Sequence, residues 1–115
     1  MKECIFCDIV NRKEKAKILF EDKKTLCFLD ASPISKGHCL IITKKHCKNI
    51  LDIPKKELEN VIATAQKVAK KTKADGFNIL HASGKDAQQS INHFHIHLVP
   101  RNKGDKLDLW FKKKN

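Results

Sequence analysis

The segment His93-Phe94-His95-Ile96-His97-Leu98-Val99 restricts this 115-residue chain more than any other. Successive side chains of a strand point to opposite faces. The pattern predicts a strand over His93 to Val99, with His93, His95 and His97 on one face, about 6–7 Å apart. Phe94, Ile96 and Leu98 then bury the other face. Imidazoles have poor strand propensity and add little to a core, so a structural need alone does not explain three of the six histidines in one strand. Three readings fit the residues: partly buried, satisfied histidines; a metal site; or nucleophilic and acid–base work on phosphate near pH 7. The neighbourhood favours phosphate. Gln89 and Ser90 just upstream supply polar donors, and Gly84 lets backbone approach a ligand closely.

The rest of the chain reads as one α+β domain over 1–115. Ile5, Phe6 and Ile9 at helical spacing predict a short first helix. Two strands follow, Ile18 to Asp22 and Thr25 to Asp30, joined at Asp22-Lys23-Lys24. Pro33 and Gly37 bracket a loop, and His38 to Thr43 reads as a central strand, apolar on both faces. Pro54 to Lys73 carries the stripe Leu58, Val61, Ile62, Ala65, Val68 and Ala69, which predicts a long helix with Pro54 at its first position. Gly76 is placed to stop that helix, and a strand runs from Gly76 to His81. Pro100 ends the last strand. Short links between sequential strands favour an antiparallel sheet.

Charge narrows the partners. Lysine and arginine number 24 against 13 acidic residues, a formal net charge of +11, which draws anions. Only Arg12 and Arg101 are arginines, and base-edge readers favour the arginine fork, so no specific nucleic-acid partner is expected. No apolar run reaches the roughly 20 residues of a membrane span, and nothing reads as a signal peptide. Five cysteines, an odd count, fit a reducing cytoplasm. Cys27 and Cys39 fall inside apolar strand patterns and are expected to be buried. Cys4-x-x-Cys7 has zinc-ligand spacing, and a redox motif has the same form.

The run Gln89-Ser90-Ile91-Asn92-His93-Phe94-His95-Ile96-His97-Leu98-Val99 resembles the signature of the histidine triad family of nucleotide hydrolases and transferases. Further blocks match in order: Cys4 to Val10, Phe28-Leu29-Asp30, Lys36 to Ile42, and Pro100 to Asp105. The resemblance implies a five-stranded antiparallel sheet with one short and one long helix, assembled as a homodimer. It implies a purine nucleotide substrate cleaved at the α-phosphate, the conjugate being a dinucleoside polyphosphate or a nucleoside phosphoramidate. His95 would be the nucleophile and form a nucleotidyl-histidine. His97 and His38 would surround the phosphate, with Ser90 and Gln89 near it and the leaving group. Asp30 would accept from the ribose hydroxyls. Ile5, Phe6, Ile9 and Phe28 would clamp the base. The chemistry itself requires no catalytic cofactor, since imidazoles and backbone amides can carry phosphate charge.

Resemblance to bacterial members also implies a closed structural zinc site on Cys4, Cys7, His46 and His93. Three positions depart from the family pattern, one of them Ala31, smaller than the aliphatic residue common there; the other two bear on turnover. Ala82 stands where many members have asparagine, and Gln88 where many have glycine. These departures support an alternative, a purine-nucleotide-binding regulator with little turnover.

Overall fold

The computed structural model describes residues 4–112. In chain order these form α1 (Ile5–Val10), β1 (Ile18–Glu21), β2 (Thr25–Leu29), β3 (Cys39–Thr43), α2 (Lys55–Lys71), β4 (Gly76–Leu80), a single 3-10 turn (Lys85–Ala87) and β5 (His95–Arg101). The strands make one antiparallel sheet in the order β1-β2-β3-β5-β4. The expected α+β architecture, five strands with a short and a long helix, is present.

β1 and β2 are a hairpin because Asp22 organises their turn: its Oδ1 accepts from the backbone N–H groups of Lys24 and Thr25 and from the Thr25 hydroxyl. That local acceptor replaces ladder bonds that a tight turn cannot make. β3 lies between β2 and β5, and all five of its residues are buried. One face of the sheet packs Cys27, Cys39, Ile41, Ile96 and Leu98 against Val61, Ala65 and Val68 of α2. The other packs Leu26, Phe28, Leu40 and Ile42 against Phe6 and Ile9 of α1. A buried hydroxyl pair, Thr25 with Thr64 at 2.6 Å, satisfies the polar atoms trapped between sheet and helix. Cys27 and Cys39 are buried, as their strand patterns imply.

Several strand ends fall one residue inside the expected ones, and four features differ for a local reason. Pro54 is the residue flanking α2, with extended backbone (ψ 145°), and the first helical residue is Lys55. Thr72, not Gly76, terminates α2; its hydroxyl donates to the Val68 carbonyl and Gly76 opens β4. Pro100 does not end β5. Its carbonyl turns away from β4 and accepts from the Ser35 hydroxyl, so its nitrogen also faces away from β4 and costs the ladder no donor. Finally, β5 begins at His95. The backbone at 91–93 is a tight turn, with His93 N–H donating to the Ile91 carbonyl, and Phe94 N–H donates to the Cys47 carbonyl outside the ladder.

Candidate functional site

β5 carries His95 and His97 onto the sheet face covered by α1, and His93 projects to the same side from the turn before the strand. The Phe6 ring meets both His93 and His95 edge-on, with centroids 5.7 and 5.1 Å apart. Phe6 thereby divides the triad between two neighbouring sites. His95 and His97 face a cleft; His93 faces a cluster of thiols.

The cleft has a volume of about 690 Å³. Ile5, Phe6, Ile9, Phe28 and Leu40 form its apolar wall, and Asp30, Ser90, His95 and His97 its polar end. Glu14, Lys15 and Lys17 stand at its rim. Four of those wall residues are the expected base clamp. Phe6, Ile9 and Phe28 are core residues and cleft lining at once, while Ile5 is half exposed. Leu40 was not singled out from the sequence, because a strand residue buried among aliphatics carries no signal that it also faces a cavity.

The hydrogen bonds fix each imidazole's tautomer. His95 Nδ1 lies 2.8 Å from the His93 carbonyl. A carbonyl only accepts, so Nδ1 carries the proton and Nε2 keeps its lone pair. Ile34 N–H donates to His38 Nδ1 at 3.1 Å, which leaves the proton on His38 Nε2. That proton is shared with His97 Nδ1 at 2.9 Å, so His97 presents a protonated Nε2. Asp30 sits behind this pair, with Oδ2 3.6 Å from His38 Nε2 and 3.9 Å from His97 Nδ1. Its Oδ1 accepts from Ser32 N–H.

Burial holds His38 and His95 below the ordinary imidazole value. Burial, reinforced by His95 and His38, lowers His97 to about 4. All three are therefore neutral at pH 7, which leaves His95 Nε2 the lone pair that a nucleophile requires.

Gln89 lies outside the cleft. Its Oε1 accepts from Gly84 N–H, and its Nε2 donates to the Lys48 and Ile91 carbonyls. Its amide is spent on holding the loop that presents Ser90. Gln88 adopts a left-handed backbone (φ 68°), the conformation that glycine takes at least cost.

The second cluster gathers Cys4, Cys7, His46 and His93, whose ligand atoms all lie within 4.8 Å of one another. α1 supplies this geometry: Cys4 caps the helix, its Sγ accepting from Cys7 N–H, so the two sulfurs fall on one side of the first turn. His93 Nε2–H donates to the Thr43 carbonyl at 2.7 Å, leaving the Nδ1 lone pair directed at Cys4 Sγ (3.3 Å) and Cys7 Sγ (3.6 Å). His46 Nδ1 is 3.2 Å from Cys7 Sγ. Bond lengths of 2.3 Å to sulfur and 2.0–2.1 Å to nitrogen give tetrahedral zinc an S···N edge of about 3.6 Å. The observed separations sit close to that edge, so the four residues fit a tetrahedral ion. Burial and the neighbouring Cys4 push the Cys7 thiol up to about 11, so thiolates here call for a cation. Thr43, which fixes the His93 tautomer, was not singled out from the sequence; it has no marker until β3 and the triad are seen side by side.

A histidine-bearing cleft and a Cys/His cluster lie beside one five-stranded sheet in an α+β fold, and comparison with known proteins gives the class. The HIT domain family model matches residues 11–104, and the chain belongs to the histidine triad family. It is 44% identical over 105 residues to an uncharacterised HIT-like protein of Methanocaldococcus jannaschii, covering 89% of this chain and 81% of that one. It is 40% identical over 98 residues to an adenosine 5′-monophosphoramidase of Saccharomyces cerevisiae, covering 85% of this chain and 62% of the relative. A zinc-bound histidine triad family protein from Mycobacterium smegmatis superposes with a TM-score of 0.87 at 36% identity, covering 96% of this chain and 84% of that one.

Proposed function

We propose that this chain hydrolyses purine nucleotide conjugates at the α-phosphate through a nucleotidyl-His95 intermediate. The observation that carries this reading is the tautomer of His95: Nδ1–H is held by the His93 carbonyl, and Nε2 keeps its lone pair beside the cleft. The base enters among Ile5, Phe6, Ile9 and Phe28, and the Asp30 carboxylate accepts from the ribose. His95 Nε2 attacks phosphorus as the bond to the leaving group breaks; the bonding pair departs with that group, a phosphate leaving as its anion and an amine taking up a proton from solvent. Water then attacks the same phosphorus and gives a proton to solvent, and the P–N pair returns to Nε2, releasing the nucleoside monophosphate. Two in-line displacements replace one direct hydrolysis. His97 Nε2–H, oriented by His38, and the Ser90 hydroxyl donate to the non-bridging oxygens that gain charge.

The Cys4, Cys7, His46 and His93 cluster holds a structural zinc in this reading. Cys4, Cys7, His46 and His93 would supply all four ligands of such an ion, which would tie α1 to the turn from which β5 departs. A zinc-bound relative supports that occupancy.

A second copy completes the molecule. β4 is the last strand of the sheet, with Phe77 and Ile79 exposed on the α2 side. On the same face of the sheet α2 exposes Ile62 beside Leu58 and Ala63. Pairing β4 edge to edge would bury this surface and join the sheets. No described helix is long and apolar enough to cross a membrane. The free thiols support a reducing, cytoplasmic setting for this reading.

Adenosine phosphoramidate and diadenosine tetraphosphate, assayed side by side with His95→Ala as control, test the reading. Cleavage of either, reduced at least about 100-fold by His95→Ala, is expected, and the preferred conjugate identifies the leaving group. Tight AMP binding without cleavage of either would instead make the chain a nucleotide-binding regulator. Ala82 and Gln88 would then be the residues to revert.

A further inference from the structure

His81 stands just past the end of β4, where the ladder to β5 stops. Its Nδ1 lies 2.8 Å from the carbonyl oxygen of His95, so it carries a proton and donates to the peptide of the proposed nucleophile. The side chain stands in for the backbone N–H that β4 no longer supplies. Nε2 is then an acceptor, and the Ser83 hydroxyl donates to it. Ser83 Oγ in turn accepts from Ile50 N–H at 2.9 Å. The ring is tilted over Phe94, centroids 4.5 Å apart, which fixes its plane. Every polar atom in this chain of bonds has one complementary partner.

We infer that His81 is a positioning residue for His95: it holds the His95 peptide so that the imidazole stays aimed into the cleft. The bond meets His95 from its own carbonyl side, while the His93 carbonyl meets its ring. The nucleophile is thus held at backbone and side chain by different parts of the chain. The link through Ser83 also ties β5 to the 48–52 loop, whose Lys48 carbonyl already anchors Gln89. His81 lines neither the cleft nor the thiol cluster, so its effect falls on turnover and not on substrate affinity.

This inference rests on the proposed role of His95, and two readouts separate the two. In steady-state cleavage, His81→Leu keeps the packing on Phe94 and loses the donor. We expect kcat to fall about tenfold or more with KM within about twofold, as for a group that acts only on the reacting geometry. His81→Asn, whose amide N–H replaces Nδ1–H, is expected to recover most of the rate, whereas the isosteric His81→Asp, with no donor, is not. If His81→Leu does not fold, the Asn and Asp pair decides. Unchanged kcat in a folded donor-less variant, or equal rates for Asn and Asp, would overturn the inference. A wild type that cleaves nothing, or a His95→Ala that keeps full rate, would overturn the hydrolase reading instead.

The second readout needs no turnover. The His95 Nδ1–H resonance in the full-length protein should exchange slowly with solvent in wild type and His81→Asn, and rapidly in His81→Leu. Equal protection in all three would overturn the positioning role.

Discussion

The carbonyl oxygen of His93 lies 2.8 Å from Nδ1 of His95, while the His93 ring belongs to a different cluster. One residue therefore orients the cleft's imidazole through its backbone and supplies a proposed metal ligand through its side chain. Damage to the thiol cluster should reach the cleft by way of this turn, because residues 91–93 carry both contacts.

The first expectation concerns metal. Protein made without added metal should contain about one zinc per chain, the count set by one four-ligand site. Cys7→Ser should lose it and lower the unfolding temperature, because metal binding energy here is folding energy. Elemental analysis of the two proteins at equal concentration checks this. Fully folded wild type without zinc would contradict it.

His97 gives stability a defined pH dependence. Its folded value is about 4, below the ordinary 6.5, because the ring is buried beside His95 and His38. Between those values the unfolded chain binds the proton more readily, so stability rises with pH. The contribution is fully present above about 6.5 and is lost as pH falls toward 4. The ring is partly exposed, so the effect should be on the order of 2 kcal/mol and not the full electrostatic value. Urea unfolding at pH 5 and 7.5 should show a smaller difference for His97→Gln than for wild type. Identical differences would show that another group carries the dependence.

Asp30 separates binding from chemistry. Its carboxylate lies behind the His38–His97 pair and lines the cleft at the sugar's expected place. Asp30→Asn removes a charged acceptor and should raise KM about tenfold, the equivalent of roughly 1.4 kcal/mol, with a smaller effect on kcat. An equal fall in kcat with KM unchanged would instead place Asp30 in the transition state, acting through His97.

The proposed pairing of β4 edges predicts a dimer. Ile79→Glu puts a charge on exposed β4 beside α2 and should convert a dimer to monomer in sedimentation equilibrium. A wild type that sediments as a monomer would contradict the proposed pairing.

Much of this site was legible in the residues. The alternating histidines announced a shared face, and the apolar stripe announced α2. Even so, the triad reads as one unit in sequence while the molecule divides it. The division depends on Phe6, which arrives from α1 and stands between two rings. Nothing local to the triad encodes that contact. Gln89 shows the same limit: an amide beside a phosphate motif reads as a ligand donor, but three backbone groups claim it, one of them the distant Lys48 carbonyl. Pro100 misled because a proline breaks a ladder only where its nitrogen faces a partner, and β3, which begins at Cys39 opposite Leu98, does not reach Pro100. His81 could have been suspected from His-x-Ser at the close of a strand, a pairing able to cap an unfinished ladder.

The central claim is a covalent bond between His95 and a nucleotide. It is tested by mixing the protein with adenosine phosphoramidate, quenching in alkaline denaturant within the first turnovers, and mapping the adduct by mass spectrometry. We expect one adenylyl group on the peptide that contains His95, absent from His95→Ala. Turnover with no adduct at any quench time, or an adduct on another residue, would contradict the claim.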